Sequence, residues 1–189
     1  MRIFRLLGQL AVHSLAKGPL RRFVRQDEGA VAIEFALVAL PFFLLLFAIL
    51  ETAMVFFVEQ TLETATADAA RLIMTGQAQQ QGFDQSKFRD AVCDRISNLF
   101  NCKGELKVDV RKYTDFASAQ TGKPVDQNGN LIQNFEYQPG CPGDIVVVRT
   151  LYQWSIYVPG LHLADSGGKR LLMATSAFRN EPYPSSGPC

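Results

Sequence analysis

At 189 residues, with a formal net charge of +1 and four cysteines, the chain has room for one membrane segment and one modest domain of roughly 130 residues. So small a net charge argues against nucleic acid as a partner. The charge is unevenly placed, however, and so is the apolar content.

Residues 1–29 carry Arg2, Arg5, Lys17, Arg21, Arg22 and Arg25 against Asp27 and Glu28, a local excess of +4. The stretch GAVAIEFALVALPFFLLLFAILETAMVFFV, from Gly29 to Val58, is a near-continuous apolar run broken by Glu34 and Glu51. From Phe35 to Val58 there are 24 residues, about 36 Å of helix at roughly 1.5 Å per residue, enough to cross a hydrocarbon core of about 30 Å. A secretory signal peptide has an apolar region of only about 7–15 residues followed by a small-residue cleavage site. The run therefore predicts a permanent single-pass helix, with Pro41 as a tolerated kink. The basic leader predicts a cytoplasmic N-terminus and places everything after Val58 on the far side. Glu51 reads as an acid near the far interface or on a helix–helix face, and the span ends either at Val58 or near Leu50.

From Glu59 to Gln81, good helix formers with apolar residues at Leu62, Ala65, Ala69, Leu72 and Ile73 predict that the helix continues out of the bilayer as a stalk ending near Gly76. Its alanines (Ala65, Ala67, Ala69, Ala70) admit close approach of another helix, or packing on the protein's own sheet. Residues 86–100 predict a short amphipathic helix through Phe88, Val92, Ile96 and Leu99, capped by Ser86. Three strands follow: Leu106–Tyr113, half-buried by its alternation of Leu106, Val108 and Val110 with Lys107, Asp109 and Arg111; Asp144–Val158; and Leu171–Arg179. The turn-rich segment between the first two reads as a flexible loop carrying Cys141. The expected fold class is α+β: a long N-terminal transmembrane helix continuing into a periplasmic stalk, then a short helix and a small antiparallel sheet of three or four strands. The expected divisions are 1–29, 30–58, 59–81 and 82–189.

Cys93, Cys102, Cys141 and Cys189 all follow the membrane run, which suits disulfides in an oxidising compartment such as a periplasm. A zinc site competes, but no C-x-x-C or histidine-rich spacing is present. A local Cys93–Cys102 bridge would pin the end of the short helix and leave Cys141 to pair with Cys189; the other two connectivities remain open.

The junction RRFVRQDEG followed by AVAIEFALVALPFF resembles a type IV prepilin cleavage site. Further along, ARLIMTG (residues 70–76) and FRNEPYP (Phe178 to Pro184) are similar to segments of the TadE-like pseudopilins of Tad-type pilus systems, over roughly residues 25–184. The resemblance implies that a prepilin peptidase cuts between Gly29 and Ala30, making Ala30 the new N-terminus. Alanine there departs from the more usual methylated phenylalanine, a variation common in the Tad branch. Glu34 becomes the fifth residue of the mature chain, where the family uses it to direct processing or to pair with the free amine of a neighbouring subunit. Low dielectric favours such a pairing, since an unpaired carboxylate there is costly.

The implied partners are the prepilin peptidase, other pilins or pseudopilins, the inner-membrane assembly platform and the lipid bilayer. The implied location is the bacterial inner membrane, with the C-terminal domain periplasmic and the protein incorporated in or associated with a thin adhesive pilus. An uncleaved, membrane-anchored periplasmic scaffold or binding protein is the alternative. A membrane-anchored enzyme is a third reading, with little to carry it. His13 lies in the leader and His162 in GLHLAD without a partner residue, Ser155 and Ser166 lack a G-x-S-x-G setting, and Asp144 suits a turn. No phosphate-binding glycine loop occurs, and Tyr152, Trp154 and Tyr157 read as strand residues packed in a core. No cofactor or metal is expected.

Overall fold

A computed structural model describes residues 27–96, 101–126, 131–158 and 168–184. It contains helices α1 (Asp27–Met74), α2 (Gln77–Gln80), α3 (Gln85–Cys93) and α4 (Cys102–Glu105), and strands β1 (Lys107–Tyr113), β2 (Ile145–Ser155) and β3 (Lys169–Arg179). The α+β class is as the sequence predicts, with three strands in the sheet. The antiparallel order is β1-β2-β3, pairing Asp109 with Arg149 and Arg149 with Thr175 across the three strands.

The chain divides into two compact units, Met1–Ala48 and Ile49–Cys189. The second unit takes in a packing stripe on α1 that begins at Glu51. From there Glu51, Val55, Val58, Leu62, Ala65, Ala69 and Ile73 are buried at spacings of three or four, the signature of one helical face laid on a core. Pro41 lies inside α1 without ending it.

Side chains alternate across a strand, so β2 has two distinct faces. Val146, Val148 and Tyr152 join Val108, Val110, Leu172 and Ala174 in the core cluster with the α1 stripe. The hydroxyls of Thr66 on α1 and Thr150 on β2 lie 2.6 Å apart there. The alanines therefore pack on this protein's own domain: Ala65, Ala69 and Ala70 are buried, and Ala67 alone of the four is exposed. Small side chains let the helix backbone approach the sheet.

The opposite face is covered too, which corrects the expectation that β1 is half-buried. Ile145, Val147, Arg149 and Leu151 are buried on it. Asp109, 1% exposed, accepts from Arg149 through both Nε (3.1 Å) and Nη2, from Arg111 Nε at 3.0 Å, and from the Glu136 N–H at 2.9 Å. The Arg149 guanidinium also donates to the Gly122 carbonyl (3.1 Å), and that of Arg111 to the Asn134 carbonyl (2.6 Å). A charge pair buried this deeply persists only when its remaining hydrogen-bonding positions are filled, and the connecting segment fills them. That segment is consequently tied down where the sequence suggested a flexible loop. It also covers the outer edge of β1, with the Val110 N–H donating to Glu136 O and the Gln138 N–H to Val110 O, both at 2.8 Å.

Helix α3 is shorter than expected, and its cap is Asp84 in place of Ser86. The Asp84 carboxylate accepts from the Lys87 N–H at 2.7 Å, while Ser86 donates its hydroxyl to that carboxylate at 2.8 Å. Phe88, Val92 and Ile96 are buried; Leu99 lies outside the described residues. Cys93, which ends α3, is disulfide-bonded to Cys102, which starts α4.

Candidate membrane and processing segment

Between Val31 and Leu50 no residue of α1 is buried: Phe35, Leu37, Val38, Leu40, Phe42, Leu45, Phe47 and their neighbours are exposed on every side of the helix. A helix apolar all round requires an apolar surround, whether a protein core or a bilayer. The segment is long and apolar enough to cross a membrane, and one such helix fits a single-pass membrane protein. Leucine and alanine, both strong helix formers, recur throughout the run and favour the helix. Pro41 is tolerated in such surroundings when the carbonyl it frees is satisfied by neighbours.

Gly29 and Ala30 lie in the first turn of α1. Glu34 is exposed one turn further on, and its carboxylate makes no ion pair or hydrogen bond with another described residue. A carboxylate on an apolar helix surface is costly in hydrocarbon, so Glu34 is chemically suited to an external cation.

Glu51, the second acid of the run, has a different environment. It is 9% exposed, and its two carboxylate oxygens accept from the backbone N–H groups of Tyr157 (2.6 Å) and Val158 (2.7 Å), just beyond the end of β2. The acid that reads in the sequence as lying near the far interface or on a helix–helix face thus secures the first buried position of the folded unit. Its partners are main-chain donors, which leave no trace in side-chain patterning. Tyr157 itself is 81% exposed, a correction to its expected core position; Tyr152 is buried as expected and Trp154 is half-buried.

The FRNEPYP segment closes the other end of α1. The Glu181 N–H donates to the Met74 carbonyl at 2.9 Å, covering one of the helix's free terminal acceptors. Asn180 is buried, and its side-chain amide donates to Pro139 O at 2.9 Å and Cys141 O at 3.0 Å. Tyr183 reaches the Gly140 carbonyl (3.4 Å); burial raises its phenol above the ordinary value, so it remains a proton donor. Gly76 ends the helix as predicted, with φ 78°. The motif is thus a clasp joining the C-terminus of α1, the 139–144 turn and the end of β3.

Asp144 serves that turn, accepting from the Cys141 N–H at 2.9 Å. Cys141 is disulfide-bonded, while Cys189 lies outside the described residues. His13, His162 and Ser166 also lie outside them, and Ser155 is the last residue of β2. Among the described residues no group of three or more His, Cys, Asp or Glu could hold a metal ion.

Residues 29–71 match the family model described as TadE-like protein. The matched stretch starts at Gly29 and takes in nearly all of α1, ending before Gly76 and the FRNEPYP clasp. No curated protein and no solved structure was found to match the chain.

Proposed function

Taking the 29–71 segment as TadE-like, we propose that this protein is a minor pseudopilin needed for assembly of a Tad/Flp-type adhesive pilus. The chain inserts in the bacterial inner membrane through the apolar part of α1, with the basic leader in the cytoplasm and the sheet domain in the periplasm. A prepilin peptidase removes residues 1–29. Ala30 then carries the free amine, and Glu34, exposed on the helix without a described partner, binds the corresponding amine of a neighbouring pilin or pseudopilin. The sheet domain makes contacts at the assembly platform or the pilus.

One observation carries this reading: a TadE-like match that begins at the expected junction and lies on a helix that from Val31 to Leu50 is apolar on every side apart from Glu34. The pairing of Glu34 with an amine follows from the cost of leaving a carboxylate alone in low dielectric. The role in adhesion is that of the pilus, reached through the family likeness.

N-terminal sequencing and intact mass of protein recovered from membranes test it. The expected mature chain starts at Ala30, and Gly29→Phe leaves only the full-length precursor. A natural chain still starting at Met1 in cells with an active peptidase rejects cleavage and favours the uncleaved periplasmic scaffold.

A further inference from the structure

The 20 residues from Val31 to Leu50 already match the roughly 20 that a helix needs to cross a bilayer. Yet the exposed apolar surface of α1 does not stop there. Met54, Phe56 and Phe57 continue it, 48%, 63% and 54% exposed, on turns whose opposite side (Glu51, Val55, Val58) is already packed in the folded unit. Immediately beyond, the exposed side of the helix changes character to Gln60, Glu63, Thr64 and Asp68. Such a switch is what a boundary between apolar surroundings and water would require of an exposed helix face.

Two further observations belong to the same end of the folded unit. Tyr157, almost fully exposed, is held at the level of Glu51 by the hydrogen bond from its N–H. Tyrosine and other aromatic side chains favour the membrane–water boundary, where an apolar ring and a polar tip are both satisfied. In addition, the N–H groups of Tyr157 and Val158, which have left the β2 ladder, are both taken by the Glu51 carboxylate. Backbone donors entering an apolar zone must find partners within the protein, and here they have them.

We propose that Met54, Phe56, Phe57 and Tyr157 form a lipid-contacting foot, by which the folded unit sits in the headgroup–acyl boundary of the membrane instead of standing clear of it on a stalk. The surface continues the spanning segment directly, so the inference rests on the reading of α1 as a membrane helix. Glu51 is the positioning residue of the foot, because it fixes Tyr157 beside the helix.

The test uses the full chain in vesicles of phosphatidylethanolamine and phosphatidylglycerol, with Trp154→Phe as background and single tryptophans introduced by Phe56→Trp, Tyr157→Trp, Leu44→Trp or Ala67→Trp. Bromine near the headgroup end of the acyl chain should lower emission at positions 56 and 157 by about twofold or more, and bromine at the chain end should act less, as expected for interfacial aromatics. Leu44→Trp should show the opposite order, and Ala67→Trp should respond to aqueous iodide alone. If positions 56 and 157 are as open to iodide as position 67 while position 44 is quenched in the bilayer, the foot is refuted and the membrane span stands. Shielding of 56 and 157 from both quenchers means that a protein surface covers them, which also refutes the foot. Absence of lipid quenching at position 44 removes the span and the proposal together. Should Trp154→Phe fail to fold, a benzophenone amino acid at Phe57 in the otherwise natural chain serves instead: a lipid adduct on irradiation supports the foot, and adducts to protein or water alone reject it.

Discussion

The ring of Tyr183 lies against the α-carbon of Gly76, so that a β-carbon on Gly76 would stand 2.4 Å from the ring. Gly76 also has φ 78°, the left-handed conformation that ends many helices and that a side chain disfavours. Gly76→Ala must therefore both strain the backbone and push the clasp away. The expected loss is about 3 kcal/mol or more, from roughly 1–2 for the backbone plus overpacking. Gly82, with φ 60° and open space around its missing side chain, provides the control: Gly82→Ala should cost only the backbone part, about 1–2 kcal/mol. Denaturant unfolding of the detergent-solubilised chain, followed by Trp154 fluorescence, gives both values; equal losses would show that the Tyr183 contact contributes nothing.

The Asp109–Arg149 pair makes a prediction of the opposite kind, since its charges need each other more than the fold needs them. Asp109→Asn keeps the shape but leaves the Arg149 guanidinium, 5% exposed, without its counter-charge; a loss of about 3–5 kcal/mol is expected. Replacing both, as Asp109→Leu with Arg149→Met, removes the buried charge altogether and should recover most of that loss. A double-mutant cycle measures the coupling. A double variant as unstable as the sum of its single changes would show that the pair acts through its ties to Gly122 and Glu136.

Helix α3 should loosen in acid. The exposed Asp84 carboxyl is held below its usual value of 3.8 chiefly by the hydrogen bond from the Lys87 N–H, and next by that from the Ser86 hydroxyl. A folded-state value below the unfolded one means that the stabilisation is fully present above the unfolded value. It is lost as pH falls through the folded value. Amide exchange at Lys87 and Phe88 should therefore accelerate below a pH of about 4 beyond the intrinsic trend. Asp84→Asn, which keeps a capping oxygen without the titration, should flatten this dependence. If the natural chain and the variant behave alike, the cap does not control the acid response.

What the sequence discloses of this fold follows from how each feature is encoded. The apolar helix is legible because its composition alone demands an apolar surround, and Gly76 because only glycine suits a left-handed helix end beside an aromatic ring. The two β-strand pairings were approachable through their β-branched runs. Asp109 was not, because alternation treats a charged residue as solvent-facing, and its counter-charge Arg149 lies 40 positions away. The segment that buries this pair has no periodicity to announce it and is rich in turn residues. Ser86 reads as the cap because serine is a common capping residue, whereas the capping oxygen belongs to Asp84 and Ser86 donates to it. The Phe178–Pro184 segment was visible as a likeness, but its task, closing the carbonyl end of α1, depends on main-chain bonds. Glu51 is the clearest case: nothing in the identities of Tyr157 and Val158 marks them as donors to an acid 106 and 107 positions earlier.

Glu51 accordingly supports a prediction independent of any membrane. Its two oxygens accept two consecutive N–H groups, and a carboxamide can accept through only one of its two heavy atoms. Glu51→Gln thus preserves size and burial while leaving one of those donors opposed by an NH2 group. Hydrogen bonds to a charged group contribute about 1.5–3 kcal/mol, so local opening at Tyr157 and Val158 should become about tenfold or more frequent. Hydrogen exchange read residue by residue checks this, with the Val148 and Thr150 amides of β2 as internal references. Faster exchange confined to residues 157 and 158 is the expected result, since Ile145–Leu151 pair with both neighbouring strands and Tyr152–Ser155 remain paired with β3. Exchange that rises equally throughout β2 would mean that Glu51 stabilises the whole unit and does not specifically fasten the strand end. Unchanged exchange at both residues would mean that the carboxylate does not hold them.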